Sequence, residues 1–461
     1  MGEVVPQPEI CATPEDEDCD GKAPPCKGVF AWAEVFGDAG HLQFGTSIAV
    51  DSAGSVLVTG SFYGSVDFGG GLLTSAGGRD IFVAKFNALG VHQWSKSFGG
   101  AADQLGWSIA VDSMDSVLVM GDFEGSIDFG GKPLVSAGSG DIFVVKLDMN
   151  GVHQWSKSFG DGMEQAGRGV AVDSAGDVLL TGSFTGSVNF GGSSLTSVNG
   201  RDVFVAKLDS SSGAHLWSKR FGGTTAADDG AGQSVAVDSA RAVLLTGSFA
   251  GSVDFGGGLA PSAGGRDIFV VKLDANGAYQ WSKSFGDGED QLGASIAVDS
   301  MRSVLVTGDF NGDFSFGGAP PTLLKSGGNG DIFVAKLDLN GAHQWSKSFG
   351  DAADQAGKGV AVDSADDVLL TGSFSGFVDF GGGQLPSAGN GDIFLAKFDG
   401  KGGHQWSKRF GDADYQSGAS IAVDSAGNVL LTGVIAGTVE FGGGPVVSAG
   451  ERDVFVAKFG P

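Results

Sequence analysis

Short stretches in which apolar and polar residues alternate with a period of two run along most of this 461-residue chain. One stretch, Thr46–Asp51, reads TSIAVD, and three β-branched and aromatic stretches follow it at Val56–Phe62, Asp80–Phe86 and Val91–Phe98. Alternation of this kind, bounded by turn residues, predicts half-buried β-strands. Because helix start and stop signals are absent, the pattern predicts an all-β fold.

This unit of four predicted strands is repeated. The text of Asp331–Phe349, DIFVAKLDLNGAHQWSKSF, returns with few changes, and its tryptophan recurs 61 to 64 residues apart. The tryptophans of this repeat are Trp94, Trp155, Trp217, Trp281, Trp345 and Trp406. A fixed period of this length indicates a repeat architecture. Each unit is predicted to be a four-stranded antiparallel meander, in which a glycine-rich connection such as Tyr63–Arg79 joins the second strand to the third.

The number of units predicts a closed ring. First strands occur seven times, near Ile48, Ile109, Val170, Val235, Ile296, Val360 and Ile421. The last unit has only three predicted strands and ends in Asp453–Phe459, whereas Val29–Phe36 carries Trp32 in the position of a fourth strand. Residues 28–461 are therefore predicted to form a seven-bladed β-propeller in which the N-terminal strand completes the last blade.

Residues 1–27 have a different composition and are predicted to be a disordered or extended acidic leader. They hold all three cysteines of the chain, Cys11, Cys19 and Cys26. Asp16, Asp18 and Asp20 form a D-x-D-x-D-G string, which is the spacing of a calcium loop. Lys27 stands where such a loop has its bidentate acid. Two interpretations are open, a calcium site at these aspartates or a solvated acidic tail.

Charge and hydropathy exclude several classes of partner. The formal net charge is −26, which disfavours nucleic acid and anionic lipid as partners and favours cations or basic surfaces. No apolar run has the length of a transmembrane segment. The opening MGEVVPQPEI lacks the charged and apolar regions of a signal peptide. Either the protein stays inside the cell or this is a mature or trimmed segment, and we favour the second.

The repeat, with its GxSIAVDSxGxVLVTGSF and DIFVAKLDxxGxHQWSKSFG text, resembles the SBBP-type bacterial β-propeller repeats. The resemblance covers residues 28–461. The leader text PEICATPEDEDCDGKAPPC is similar to the segments that precede such propellers in surface proteins of myxobacteria-like organisms. The resemblance implies an exported, extracellular or cell-surface protein, and it supplies no agreed activity or set of catalytic residues.

One position of the repeat changes around the ring while its neighbours hardly do. It reads Thr46, Trp107, Arg168, Gln233, Ala294, Lys358 and Ala419 and lies just before each predicted first strand. In a propeller these residues surround the upper channel mouth. Trp107, Arg168, Gln233 and Lys358 are therefore a candidate ligand site, with an aromatic platform and two cationic donors that suit sugars or carboxylates. The alternative is that an exposed strand start tolerates variation.

The loops between blades and the loops between second and third strands are predicted to lie at the same end of the ring as this site, which we call the top face. The loops between blades are acidic. The functional interpretation is a set of calcium ligands or a field for a basic partner, and the alternative is that aspartate and glutamine satisfy turn amides. Aspartates also end the first strands and begin the third strands in all seven units. Sevenfold repetition favours a structural role for both sets. The insertions Thr224–Gly232 and Ala319–Gly327 break the symmetry and are candidate specificity loops.

These observations predict a non-enzymatic, monomeric scaffold that binds a protein or glycan at its top face, with calcium as a candidate cofactor. A catalytic centre needs one unique constellation, whereas the chain offers mostly sevenfold copies. Two alternatives remain open, a hydrolase or lyase that uses a top-face carboxylate site, and a purely structural repeat module.

Overall fold

The computed structural model describes residues 27–198, 200–225 and 227–461. The candidate calcium ligands Asp16, Asp18 and Asp20 and the three cysteines lie outside the described residues.

Within the described residues, seven four-stranded antiparallel sheets follow one another along the chain, and the all-β prediction is confirmed. We number them blades 1 to 7 in chain order and their strands first to fourth from the centre outward. The inner strands of neighbouring blades pack side by side, and blade 7 packs on blade 1, so the blades form a ring. This is the predicted seven-bladed β-propeller.

The first and second strands of each blade form an antiparallel pair. The first strands are Gln43–Val50, Gln104–Val111, Gln165–Val172, Asp229–Val237, Gln291–Val298, Gln355–Val362 and Gln416–Val423. The second strands are Val56–Phe62, Val117–Phe123, Val178–Phe184, Val243–Ala250, Val304–Phe310, Val368–Phe374 and Val429–Ile435. Most second-strand residues are buried because sheets pack against both of their faces.

The third strands are buried along their whole length, whereas the fourth strands form the outer edge. The third strands are Asp80–Phe86, Asp141–Leu147, Asp202–Leu208, Asp267–Leu273, Asp331–Leu337, Asp392–Phe398 and Asp453–Phe459. The fourth strands of blades 1 to 6 are His92–Phe98, His153–Phe159, His215–Phe221, Tyr279–Phe285, His343–Phe349 and His404–Phe410.

The fourth strand of blade 7 comes from the other end of the chain, as predicted. Phe30–Phe36 pairs antiparallel with Asp453–Phe459, and Trp32 lies opposite Lys458. The amide of Gly28 donates to the carbonyl of Pro461 at 3.0 Å, which extends the pairing past the strand end. The ring is therefore closed by hydrogen bonds between the two ends of the propeller, because no chain connection joins Phe30–Phe36 to Asp453–Phe459 within blade 7.

The connection between second and third strands is more ordered than the sequence pattern predicted, because it contains a small two-stranded hairpin in every blade. The hairpin strands are Ser65–Asp67 with Leu72–Thr74, Ser126–Ile127 with Leu134–Val135, Ser187–Val188 with Leu195–Thr196, Ser252–Asp254 with Leu259–Pro261, Asp313–Gly318 with Pro321–Lys325, Phe377–Asp379 with Gln384–Pro386, and Thr438–Glu440 with Pro445–Val447. Each hairpin buries a phenylalanine between two blades. Phe129, for example, lies 5.0 Å from Phe98 of blade 1 and 5.1 Å from Phe143 of blade 2, measured between ring centroids.

A buried ion pair supports the end of each blade that lies opposite these hairpins. In blade 3, Lys207 Nζ lies 2.7 Å from Asp173 Oδ2, and both side chains are almost fully buried. Asp173 Oδ1 also accepts the amides of Ala175 and Asp177, so the same carboxylate closes the turn after the first strand. The equivalent lysine and aspartate pair in all seven blades. These aspartates are structural, as their repetition indicated.

Candidate functional site

The variable position of the repeat lies at a β-bulge in every blade. In blade 1, Gly45 pairs with Gly60 and Ser47 with Thr59, so Thr46 is an extra residue without a partner in the second strand. The same register shift recurs in the first strands of the other six blades. A β-bulge leaves one residue without a partner in the neighbouring strand and changes the direction of its side chain.

This geometry corrects the predicted place of the variable position. The first strand of blade 1 begins at Gln43, three residues before Thr46, so the position lies inside the strand and not before it. The sequence pattern missed the early part of the strand because a glycine and the extra bulge residue interrupt its alternation.

All seven bulge residues line one cavity of about 550 Å³ between the inner strands. They are Thr46, Trp107, Arg168, Gln233, Ala294, Lys358 and Ala419. The four predicted ligand-site residues are therefore brought together. The cavity has the volume of a small-molecule site.

Trp107 and Arg168 form a connected group with Asp122, a residue of the second strand of blade 2. The guanidinium carbon of Arg168 lies 4.1 Å from the centroid of the Trp107 ring, in a cation–π contact. The indole Nε1–H of Trp107 donates to Asp122 Oδ1 at 2.7 Å, and Arg168 donates to the same oxygen at 3.4 Å. The carboxylate of Asp122 thus holds the Trp107 and Arg168 side chains in place.

Lys358 has a similar partner on the other side of the ring. Its Nζ lies 3.6 Å from Asp309 Oδ1, and Asp309 occupies in blade 5 the place that Asp122 has in blade 2. Sequence reasoning missed both aspartates. The signal was present, because the second strand reads GSF in blades 1, 3, 4 and 6 but GDF at Asp122 and Asp309.

Burial governs the protonation of this group. Burial raises the pKa of Asp122 to about 6, although the charge of Arg168 and the hydrogen bond from Trp107 act in the opposite direction. Burial likewise raises the pKa of Asp309 against the opposing effect of Lys358. It lowers the pKa of Arg168, and the charge of Asp122 opposes that shift. A carboxyl group that titrates near neutral pH is unusual outside functional sites.

A second cavity of about 520 Å³ adjoins the first, and Arg168, Gln233 and Leu292 line both. Arg201 and Arg266 also line it. Both arginines pair with Asp229, a residue of the insertion Thr224–Gly232, and their charges together with their hydrogen bonds lower its pKa against the effect of burial.

The two predicted specificity loops therefore lie in different places. Ala231, from the first insertion, lines the second cavity. The other insertion, Ala319–Gly327, enlarges the outer hairpin of blade 5, and its residues line neither cavity.

The acidic loops between blades bind backbone amides. Asp161 accepts the amide of Ser187 at 2.7 Å and that of Met163 at 2.8 Å, so it ties the interblade loop to the neighbouring hairpin. Asp287, Asp351 and Asp412 make the same pair of contacts in later blades. This agrees with the structural interpretation of the rim. No group of three or more acidic, histidine or cysteine residues in the described parts of the chain could hold a metal ion.

The aspartates that begin the third strands are also buried. Asp141 Oδ2 accepts the amide of Ala137 at 2.9 Å, while its Oδ1 has no hydrogen-bond partner among the described residues. Burial raises the pKa of Asp141 and of its equivalents in the other blades.

These features define the chain as a seven-bladed β-propeller with a ligand-sized cavity at its centre. The family model for the SBBP β-propeller repeat matches residues 405–438, which run from the fourth strand of blade 6 into the hairpin of blade 7. The matched text recurs around the ring with few changes, and together with the seven blades the match supports an SBBP-type repeat.

Two curated proteins are similar to longer parts of the chain. An uncharacterized WD repeat-containing protein, L264 of Acanthamoeba polyphaga mimivirus, is 22% identical over 87% of this chain and 36% of its own length. The regulatory protein FlaEY of Caulobacter vibrioides is 26% identical over 36% of this chain and 18% of its own length. The chain thus spans well under half of either relative.

Among solved structures, the WD40 β-propeller domain of Doa1 has a TM-score of 0.47 and 10% identity, over 94% of this chain and 96% of that one. BamB from Moraxella catarrhalis has a TM-score of 0.40 and 12% identity, over 90% and 85% of the two chains. The described residues contain no helix that is long and apolar enough to cross a membrane.

Proposed function

We propose that this propeller is a non-enzymatic binding scaffold that takes a ligand into its central channel. The observation that carries the proposal is that a position whose chemical character changes from blade to blade is also the bulge position, and that all seven copies line one cavity. Variation at a cavity lining, on a largely repeated framework, is expected of a binding site on a rigid scaffold. The propeller fold and its WD-repeat relative are compatible with such a role.

Tryptophan fluorescence tests this proposal directly. The full chain is titrated with a panel of neutral sugars, sugar acids and small organic acids, and thermal melting is recorded in parallel. At least one compound should shift both signals, and Trp107→Ala should abolish the response. Trp94→Phe, at the repeated outer position, is the matched control and should respond like the wild type. If no compound acts through Trp107, the chain is better explained as a purely structural repeat module.

We propose further that the protein is monomeric and is exported or displayed at the cell surface. The support for export is the resemblance of its leader to those of surface propellers. The support for a monomer is that ring closure uses both ends of the same chain. Fractionation of cells that produce the protein and sedimentation of the purified chain test the two points. A cytoplasmic location or a stable dimer would contradict them.

We also propose that the leader, residues 1–27, binds calcium. Asp16, Asp18 and Asp20 supply the alternating carboxylates that calcium loops use. Calorimetric titration of the full chain with calcium should give heat that is lost in Asp16→Asn. The same titration of a chain that begins at residue 28 should give none. Equal heats for the three proteins would place any bound calcium elsewhere.

Asp122 favours a second candidate, a hydrolase or lyase that uses a carboxyl group reached from the top face. Burial raises its pKa to about 6, which is suited to proton transfer near neutral pH. Assays against polysaccharides and esters, with Asp122→Asn as the comparison, test the candidate. Turnover that depends on Asp122 and follows a pH profile with a midpoint near 6 would establish it, and would replace the non-enzymatic proposal.

A further inference from the structure

Two cationic residues of the cavity are each followed by glycine in the sequence. These pairs are Arg168-Gly169 in blade 3 and Lys358-Gly359 in blade 6. Serine occupies the glycine position in the other five blades, at Ser47, Ser108, Ser234, Ser295 and Ser420. Both glycines line the cavity next to their cations.

The serines have a defined task, which the glycines cannot perform. Each serine hydroxyl accepts a backbone amide of the next blade, as Ser108 Oγ does from Val170 at 3.1 Å and Ser47 Oγ from Ile109 at 3.2 Å. The amides that would pair in this way with blades 3 and 6 belong to Val235 and Ile421. A Cβ atom added to Gly169 would lie 3.2 Å from the nitrogen of Val235, and one added to Gly359 would lie 3.3 Å from that of Ile421.

Each glycine therefore leaves an amide donor of the next blade without its hydroxyl acceptor, on the wall of the cavity that the two cations also line. An N–H group at the wall of a cavity needs an acceptor from water or a ligand. A positive charge and a backbone N–H together are the groups that bind anions in proteins. The channel contains this combination twice.

The charges around the cavity also favour an anionic ligand. Arg168 and Lys358 line it, and no aspartate or glutamate does, although the whole chain has a net charge of −26. Each cation contacts its neutralising carboxylate loosely, since Arg168 lies 3.4 Å from Asp122 and Lys358 lies 3.6 Å from Asp309, which lines the adjoining second cavity. Within the described residues, the bond to Asp122 is the one hydrogen bond that the Arg168 guanidinium makes. Most of its donors are free for a ligand.

The two combinations face each other across the channel, because blades 3 and 6 are three positions apart in a ring of seven. We infer that the channel cavity binds a small molecule with two anionic groups, such as a dicarboxylate, one group at each cation and its neighbouring amide. Arg168 with the Val235 amide holds one group, and Lys358 with the Ile421 amide holds the other. The inference rests on the proposed binding function and specifies its ligand class.

Calorimetry with matched charged and neutral probes tests the inference. The full chain is titrated with succinate, glutarate and adipate, and with the diamide of each. At least one dicarboxylate should bind, and its diamide should bind at least tenfold more weakly, because charge-assisted hydrogen bonds are lost. Arg168→Gln and Lys358→Gln should each weaken the dicarboxylate about tenfold or more. Lys132→Gln, at an exposed lysine outside the cavity, should leave affinity unchanged.

Gly169→Ser is the sharpest variant, because it restores the residue of five other blades and adds a hydroxyl acceptor for the Val235 amide. It should fold and weaken dicarboxylate binding severalfold while both cations remain. Unchanged affinity in this variant would overturn the role of the amide.

Failure of every dicarboxylate to bind would overturn the anion assignment. Binding of diamides or neutral sugars that still depends on Trp107 would also overturn the assignment, but it would leave the proposed binding function intact.

Discussion

Phe36→Ala tests whether the N-terminal strand holds the ring closed. Phe36 is 8% exposed, and its ring centroid lies 4.9 Å from that of Phe68 and 5.2 Å from that of Phe86. Phe68 and Phe86 belong to blade 1 and are fully buried. The N-terminal strand completes blade 7, so Phe36 joins the last blade to the first. Its removal weakens the contact that closure creates.

The expected loss of unfolding free energy follows from the burial of the Phe36 side chain. Loss of a buried phenylalanine side chain forfeits about 2–3 kcal/mol of transfer free energy. The cavity left behind brings the total to about 3–5 kcal/mol. Phe98 has the same place in the fourth strand of blade 1, the same 8% exposure and a comparable contact with Phe129 at 5.0 Å. Phe98→Ala should therefore cost as much as Phe36→Ala, to within about 1 kcal/mol.

Guanidinium unfolding, followed by tryptophan fluorescence and far-ultraviolet circular dichroism, measures both variants against the wild type. The midpoint should fall in each variant, with no change in the slope of the transition. The reasoning is refuted if Phe36→Ala lowers the free energy of unfolding by less than about 0.5 kcal/mol while Phe98→Ala has its full effect. The N-terminal strand would then be dispensable in solution.

Three other predictions concern the closing N-terminal strand and the buried charges. Deletion of residues 1–37 should destabilise the whole propeller, whereas deletion of residues 1–27 should leave its melting temperature unchanged, because the closing strand begins at Phe30. Lys207→Met should cost about 3–5 kcal/mol of unfolding free energy, because it leaves Asp173 buried without its cation, and a loss below 1 kcal/mol in denaturant unfolding would contradict this. Asp141→Asn should raise the melting temperature relative to the wild type at pH 7, and the difference should shrink as the pH falls towards 4. Burial raises the pKa of the Asp141 carboxyl in the folded state, so the charged carboxylate destabilises the fold at high pH and this destabilisation disappears when the group is protonated. A difference in melting temperature that grows as the pH falls would contradict this reasoning.

Sequence alone was sufficient for the existence of four main strands in each blade, the blade number and the closure of the ring. The alternation of apolar and polar residues in a strand is a local pattern, and its repetition in seven units of the chain indicates the same structure for each unit. The position of Trp32 in the N-terminal segment predicted the missing fourth strand, and the pairing of Trp32 opposite Lys458 confirms it. The variable position was also found from sequence, because a change in one copy is visible against six others.

Only the tertiary structure placed these residues relative to one another. The bulge that turns Trp107 and Arg168 towards the channel depends on pairing with the second strand, which the alternation of one strand does not encode. Asp122 and Arg168 are 46 residues apart and meet across two blades, and the distance between them is set by ring geometry. The small hairpins were missed for a related reason, since in six of the seven blades their strands have only two or three residues, which are too few to show a period. Contacts between blades depend on how seven sheets pack around one axis, so the channel site became visible only in the folded ring.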